Sequence, residues 1–235
     1  LVIVLAGMLM LAMVILAFRY WKRKPILIAG SFMVLPLMLF QAWLGKQVVD
    51  SNLLPIKITI HMIAALFIVA LLLWLWYESQ RKEGKHSVKR FDGIFRNYML
   101  LAAVLTLVQI AFGTQVRQYV DERVMQVGYE AKELWLDPAT IWFYIHRSFS
   151  IIVTLLNIFL YWRNVKNNLG HRQLLQWMLL FLGLEIGTGI AMYYIDFPFG
   201  SQPLHLVIAS LLFGVQFYIL LESFKKREHA AKLSL

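Results

Sequence analysis

Long apolar stretches separated by short polar connections run through the whole chain. A helix needs roughly 20 apolar residues to cross a bilayer core about 30 Å thick. Seven stretches come close to this length, and each is apolar nearly all round the helix: about residues 1–18, 26–44, 56–77, 95–116, 141–162, 174–195 and 203–221. The pattern therefore predicts an all-α fold, a polytopic membrane helical bundle with seven visible spans.

Basic residues alternate from one connection to the next. The connections after the first, third, fifth and seventh spans carry 17 of the 23 Lys and Arg residues. Because positively charged loops stay on the cytoplasmic side, these connections and the C-terminus are predicted to be cytoplasmic. The outward connection after the fourth span is acidic, and a short amphipathic helix is predicted there, at about residues 122–134. The first span then enters from outside and starts at Leu1, so we expect the chain to be a fragment preceded by a further span.

Composition narrows the class of protein. Hydrophobic residues make up 60% of the chain and charged residues 15%, against about 45–50% and 25% in soluble domains, which argues against a water-soluble enzyme. The absence of cysteine excludes a disulfide framework, a zinc–cysteine site and an iron–sulfur cluster within these residues. The net charge of +10 lies in the connections, so the lipid bilayer, and not nucleic acid, is the expected partner. We expect an integral protein of the bacterial inner membrane.

An internal repeat links the second and third spans with the sixth and seventh. A shift of 144 residues aligns polar, small and histidine positions without gaps: Gln41 on Glu185, Gly45 on Gly189 and His61 on His205. The fourth span has the same polar–small spacing in Gln109 and Gly113. A repeat of four helices gives copies of the same orientation, related by an axis along the membrane normal.

The repeat divides the chain into two pseudo-symmetric halves. Residues 1–77 form an incomplete N-terminal half-bundle, 78–94 a cytoplasmic linker, and 95–235 a complete four-helix half. The whole protein would then have eight spans, of which seven are visible. A fourth histidine, matching His146, is expected just upstream of Leu1.

The histidines fall into two groups. Three lie in basic cytoplasmic connections and are expected to be solvated: His86, His171 and His229. The other three lie within the first turns of spans that start on the outward side: His61, His146 and His205. An unpartnered polar group inside a membrane is costly, so such residues usually face the bundle interior and serve a function.

Several kinds of chemistry use buried histidines. A Ser–His–Asp arrangement lacks an orienting acid near His146, a zinc site lacks a fourth ligand, and a proton relay has only Glu185 as a strong mid-span acid. Histidines on facing helices suit haem, which takes axial imidazoles on opposite faces of the ring. Small residues would admit the flat macrocycle: Gly113, Gly187, Gly189 and Ala209. Outward cations would meet its propionates: Arg117, Arg147, Lys46 and Lys57.

The chain resembles the haem A synthase family in four stretches: QAWLGKQVVDSNLLPIKITIH (41–61), QIAFGTQVRQYVDE (109–122), IHRSFS (145–150) and QPLHLVIAS (202–210). The most specific element is Gly-Thr-Gln-Val-Arg at 113–117, followed by Val120-Asp121 and by His-Arg on the next span. The resemblance runs from the family's second helix to its last. It implies an eight-helix membrane oxidoreductase that oxidises the C8 methyl group of haem O to a formyl group by successive hydroxylations.

The resemblance also implies roles for individual residues. His146 and His205 match the ligands of a haem b cofactor in the C-terminal half, and His61 matches an axial ligand and catalytic position for substrate haem O in the N-terminal half. Arg117 and Arg147 are expected to bind haem propionates. An unidentified electron donor, and haem O synthase or terminal oxidase assembly factors, are the expected partners. The family's catalytic Glu, and the cysteine pair that some members carry, are expected upstream of Leu1, so the activity of the fragment itself is in question.

Three other functions stay open at this point. A non-catalytic b-type cytochrome would usually place haems near both membrane faces, whereas these histidines share one side. A proton-coupled transporter would use Glu185 and the histidines as its proton path. A scaffold for oxidase assembly would not need the histidines at all.

Overall fold

The protein folds into helices, in agreement with the predicted all-α class. The computed structural model describes residues 2–50, 55–80 and 92–224, and within these ranges it contains seven α-helices and no strand. The helices are α1 (Val2–Ala17), α2 (Pro25–Asp50), α3 (Pro55–Gln80), α4 (Gly93–Val127), α5 (Ile141–Asn167), α6 (Arg172–Tyr194) and α7 (Ser201–Ser223). Six of them, α2 to α7, are long and apolar enough to span a membrane, and α1 is a shorter apolar helix. The chain is an integral membrane protein.

The helices form two compact units, residues 1–86 and 87–235. The boundary between the units lies inside the predicted linker 78–94, most of which is outside the described residues, as are His86 and His229. The assignment of substrate haem to the N-terminal half and of haem b to the C-terminal half stays a prediction.

The N-terminal unit consists of α1, α2 and α3, with α2 packed against both neighbours. Its core includes Val34 of α2 and Leu75 of α3. Gly30 allows these two helices to approach closely, because a Cβ at this position would overlap Cδ2 of Leu75. At the end of α3, the Lys24 ammonium donates to the backbone carbonyls of Glu78 and Ser79 in the last turn of the helix.

The C-terminal unit is a closed four-helix bundle. Each of α4, α5, α6 and α7 contacts two of the others, in the cyclic order α4–α5–α6–α7. Its core is mainly apolar, with Phe95, Leu160, Met178 and Ile219 almost fully buried, and it also encloses a hydrogen bond from Gln216 to Asn157 at 3.0 Å. The histidines at the starts of α5 and α7 lie at one end of this bundle, which we call the histidine end.

Hydrogen bonds and an ion pair centred on Asp92 stabilise the opposite end of the bundle. The Asp92 carboxylate caps α4 by accepting from the backbone N–H groups of Ile94 and Phe95, at 2.9 and 3.0 Å. The same carboxylate accepts from the Arg163 guanidinium at 3.1 Å and from the Asn167 amide at 3.2 Å. Burial alone would raise the pKa of Asp92, but these hydrogen bonds and the nearby charge of Arg163 outweigh it and lower that pKa below its usual value.

The expectation that His171 is solvated is wrong. His171 is only 3% exposed, and its Nδ1 lies 3.2 Å from the Glu222 carboxylate. Its ring stacks on Phe95 with ring centroids 5.4 Å apart, and its backbone N–H donates to the Asn164 side chain. The sequence of this basic connection gave no sign that His171 is buried, because the residues that contact it come from three other helices.

The predicted amphipathic helix at 122–134 is also wrong in its bounds. Helix α4 continues without interruption to Val127, which makes it 35 residues long, and it ends where Gly128 adopts a φ of +92°. Only a short 3-10 helix, Lys132–Leu134, follows. Polar residues end the membrane span but do not end the helix, because the backbone hydrogen bonds continue into the aqueous region. The connection then folds back, and Trp135 and Phe197 pack together against Val120 of α4.

Candidate functional site

Three helix hairpins present a histidine in the same way. In each, the first helix carries Gln or Glu followed four residues later by Gly, and the second helix carries the histidine. The hairpins are α2/α3, α4/α5 and α6/α7. The predicted repeat is therefore reproduced at the level of side-chain contacts, and the Gln-x-x-x-Gly spacing of α4 belongs to the same arrangement.

In the N-terminal unit, α2 holds His61 of α3. The Gln41 side-chain amide donates to the backbone carbonyl of His61 at 2.9 Å, and its nitrogen also lies 3.5 Å from Nε2 of the ring. Gly45 leaves room for the ring, since a Cβ there would lie 3.3 Å from Cε1 of His61. The Nδ1 atom of His61 is buried and finds no hydrogen-bond partner within the described ranges.

In the C-terminal unit, α4 holds His146 of α5 by nearly identical contacts. The Gln109 amide donates to the backbone carbonyl of His146 at 2.9 Å and lies 3.4 Å from Nε2. A Cβ at Gly113 would lie 3.1 Å from Cε1 of His146. Here Nδ1 also has a partner, the backbone carbonyl of Gln109 at 3.2 Å. Because a carbonyl only accepts, Nδ1 carries the proton and Nε2 is left with the lone pair that a metal requires.

Helix α6 holds His205 of α7 with different side chains. Nδ1 of His205 lies 2.7 Å from the Thr188 hydroxyl, and Nε2 lies 3.3 Å from the Glu185 carboxyl. The Thr188 hydroxyl has its own acceptors in the backbone carbonyls of Leu184 and Glu185, at 2.9 and 3.0 Å. When the hydroxyl donates to one of these carbonyls it can accept from Nδ1–H, and in that tautomer Nε2 is again the nitrogen that can bind a metal. A metal at that nitrogen would require Glu185 to give up its contact.

The rings of His146 and His205 face each other across the bundle interior. Their centroids are 6.4 Å apart, with an angle of 67° between the ring planes. Two imidazoles bound on opposite sides of one metal ion, with bonds of about 2.0 Å each, have ring centres roughly 6 Å apart. Two buried acceptors beside this pair, Oε1 of Gln109 and Oε1 of Glu185, have no partner among the described residues. The pair thus fits the axial ligation of a haem iron.

The predicted propionate-binding arginines lie at the same end of the bundle. Arg117 is one turn beyond Gly113 on α4, is about half exposed, and forms an ion pair with Asp121 at 3.6 Å. Arg147 directly follows His146 and is exposed. Both side chains are accessible to an anionic group, although neither contacts the histidine pair in the described structure.

The structure corrects one expectation about the site and adds one residue to it. Gly187 is exposed, and a Cβ on it would contact nothing within 4 Å, so it does not line the histidine pair; Gly113 and Gly189 do. Thr188 was not among the expected residues, although it makes the shortest contact to a site histidine. Its only sequence signal is its position three residues after Glu185, where the repeat has Leu44 instead.

A family comparison agrees with this geometry. The model of the COX15-CtaA family, described as cytochrome oxidase assembly protein, matches residues 1–217, nearly the whole chain. The chain belongs to this family, the haem A synthase family. No curated protein matches the chain. Membership in this family assigns the chain a role in cytochrome oxidase assembly, and every residue described above at the site lies within the matched region.

Proposed function

We propose that this protein is a haem A synthase that binds haem b in its C-terminal unit and oxidises the C8 methyl group of haem O in its N-terminal unit. The separation of 6.4 Å between the His146 and His205 rings is the observation that carries the proposal. It is supported by the Nδ1 contacts that leave Nε2 of both rings with a lone pair.

Bound haem would supply the electron transfer and the oxidation chemistry, while the protein supplies ligands, orientation and shielding from water. His146 and His205 would hold haem b as ligands of its iron, and His61 would hold substrate haem O. Gln109 holds the helix turn of His146 through the backbone carbonyl of that residue. Arg117 and Arg147 would bind propionates as charge-assisted hydrogen-bond donors.

Trp135 and Phe197 lie in the connections that lead into the two histidine-bearing helices, α5 and α7. They would limit the access of water to the ligands. Trp135 is 4% exposed and donates its indole N–H to the Gly128 carbonyl at 3.2 Å, so the connection after α4 is closed on itself. Phe197, from the connection between α6 and α7, packs against Trp135 with centroids 5.2 Å apart. An apolar, dry environment strengthens electrostatic interactions inside the site and tunes the potential of a bound iron.

The location and the partners complete the proposal. We infer a bacterial inner-membrane protein with a cytoplasmic C-terminus, from the alternation of basic connections. Its histidine end then faces outward, its electrons come from a donor not yet identified, and its product passes to terminal oxidase assembly.

The test is a reduced-minus-oxidised visible spectrum, with pyridine haemochrome quantification, on detergent-purified protein. We expect a b-type signal in the wild type that is lost in His146→Ala and in His205→Ala, with haem O or haem A also present in the wild type. His229→Ala, in the basic C-terminal tail, is the matched control and should keep the signal. A well-folded wild type without haem would refute the proposal and return the proton-coupled transporter, with Glu185 as its acid, to first place.

A further inference from the structure

The hairpins α2/α3 and α6/α7 differ at one register position that matters for their histidines. The repeat that aligns His61 with His205 also aligns Leu44 with Thr188. We propose that Thr188 is a positioning residue that makes His205 a permanent iron ligand, and that Leu44 in its place leaves His61 a weaker, exchangeable ligand. This inference rests on the proposed function, because it concerns how tightly each unit holds its haem.

Thr188 fixes the ring of His205 from the side away from the metal-binding nitrogen. Its hydroxyl lies 2.7 Å from Nδ1, and it is itself anchored to the backbone carbonyls of its own helix at 2.9 and 3.0 Å. A hydroxyl so anchored can accept a hydrogen bond from Nδ1–H, which favours the tautomer with a lone pair on Nε2 and restricts the rotation of the ring. Such support behind a ligating histidine increases its basicity and typically changes metal affinity 10–100-fold when removed.

His61 has no such support. Leu44 is buried, at 7% exposure, and its aliphatic side chain offers no acceptor. Nδ1 of His61 is buried without a hydrogen-bond partner in the part of the chain that the structure describes. The Gln41 amide holds the backbone of His61 and touches the ring only at 3.5 Å, so the rotation of the ring is less restricted than in the other two histidines.

His146 shows that the C-terminal unit supports both of its ligands. Nδ1 of His146 donates to the backbone carbonyl of Gln109 at 3.2 Å, without help from a side chain. The two histidines that face each other thus both have Nδ1 partners, whereas Nδ1 of His61 has none among the described residues. A cofactor must stay bound through many turnovers, whereas a substrate must enter and its product must leave, and the two kinds of support match these two requirements.

The test measures haem loss from the complete protein by transfer to apomyoglobin, together with the low-temperature electron paramagnetic resonance spectrum and the reduction potential of haem b. Because the backbone carbonyl of Glu185 also accepts from the His205 ring, we expect Thr188→Val to release haem b about tenfold faster, at the lower end of the range. We also expect a changed spectrum and potential. Thr188→Ser keeps the hydroxyl and should therefore keep the wild-type release rate, spectrum and reduction potential. Thr154→Val is the matched control, because the Thr154 hydroxyl donates only to its own helix, at 2.8 Å from the Ser150 carbonyl.

The reciprocal variant, Leu44→Thr, tests the inference in the N-terminal unit. In a His205→Ala background, which leaves His61 as the ligand under study, Leu44→Thr should slow haem loss. Haem-loaded Thr188→Val with a wild-type release rate, spectrum and potential would overturn the inference alone. A wild type that binds no haem would overturn the proposed function, and the inference with it.

Discussion

Adding a single methyl group at two equivalent glycines should have different consequences, and the difference follows from two distances. A Cβ at Gly113 would lie 3.1 Å from Cε1 of His146 and 3.5 Å from its Nδ1. A Cβ at Gly189 would lie 3.8 Å from Cε1 of His205, which is an ordinary contact. Carbon atoms attract best at about 3.5–4.0 Å, so Gly113→Ala requires the His146 ring to retreat by roughly 0.5 Å, and Gly189→Ala requires no retreat.

The His146 ring is not free to retreat. Its Nδ1 donates to the Gln109 carbonyl at 3.2 Å, and its own backbone carbonyl accepts from the Gln109 amide at 2.9 Å. Overpacking a fixed side chain costs about 1–3 kcal/mol. A displacement of roughly 0.5 Å is also the limit within which a binding site keeps its geometry. We therefore expect Gly113→Ala to weaken haem b binding about tenfold, and Gly189→Ala to change it less than about twofold.

Each substitution also replaces glycine by alanine inside a helix, a gain of about 1 kcal/mol that both variants share. The comparison between them cancels this gain. Haem titration followed by absorbance measures affinity, and thermal unfolding in detergent measures stability. Gly189→Ala should raise Tm by roughly 2–4 °C, whereas Gly113→Ala should show little or no rise. Equal affinity and an equal rise in Tm for both variants would refute the steric reasoning.

Three further predictions concern the ends of the bundle. Because the pKa of Asp92 is lowered in the folded protein, its contribution to stability is present above the unfolded value of about 4 and is lost as pH falls through the lower folded value; Asp92→Asn should flatten the dependence of Tm on pH between about 5 and 3. His171→Ala should cost about 2–3 kcal/mol of stability, by leaving Glu222 buried without this partner, while the haem spectrum stays unchanged. Arg147→Gln should weaken haem binding a few-fold and reduce its dependence on salt, measured by titration at two ionic strengths; a salt dependence equal to that of the wild type would contradict a propionate contact.

The spans and the histidine hairpins were predictable because their causes are local or periodic. Burial of backbone polar groups in lipid requires long apolar helices, which hydropathy reveals directly. The Gln-x-x-x-Gly spacing puts a polar and a small residue on one helix face, and its recurrence on α2 and α4 indicated a shared use. The structure adds that this face meets a histidine in both hairpins, Gln41 with His61 and Gln109 with His146.

Other features could not be predicted because they depend on how each helix is rotated against its neighbours. Gly187 and Gly189 are two residues apart on α6, yet only Gly189 faces a histidine. His171 lies in a basic connection but is buried, because the neighbouring helices bring Phe95 and Glu222 to it. The sequence does not state these rotations, since many rotations of an apolar helix give the same hydropathy.

The sequence by itself therefore determined the class of the protein, its spans and the three membrane histidines, because lipid imposes a hydropathy requirement that every span must satisfy on its own. The family resemblance already implied the pairing of His146 with His205, but only the tertiary structure showed how the two rings face each other and what stands behind each ring. The pairing of His146 with His205, and the difference between Thr188 and Leu44, depend on contacts between helices far apart in the chain. Packing, which selects one rotation for each helix, sets those contacts.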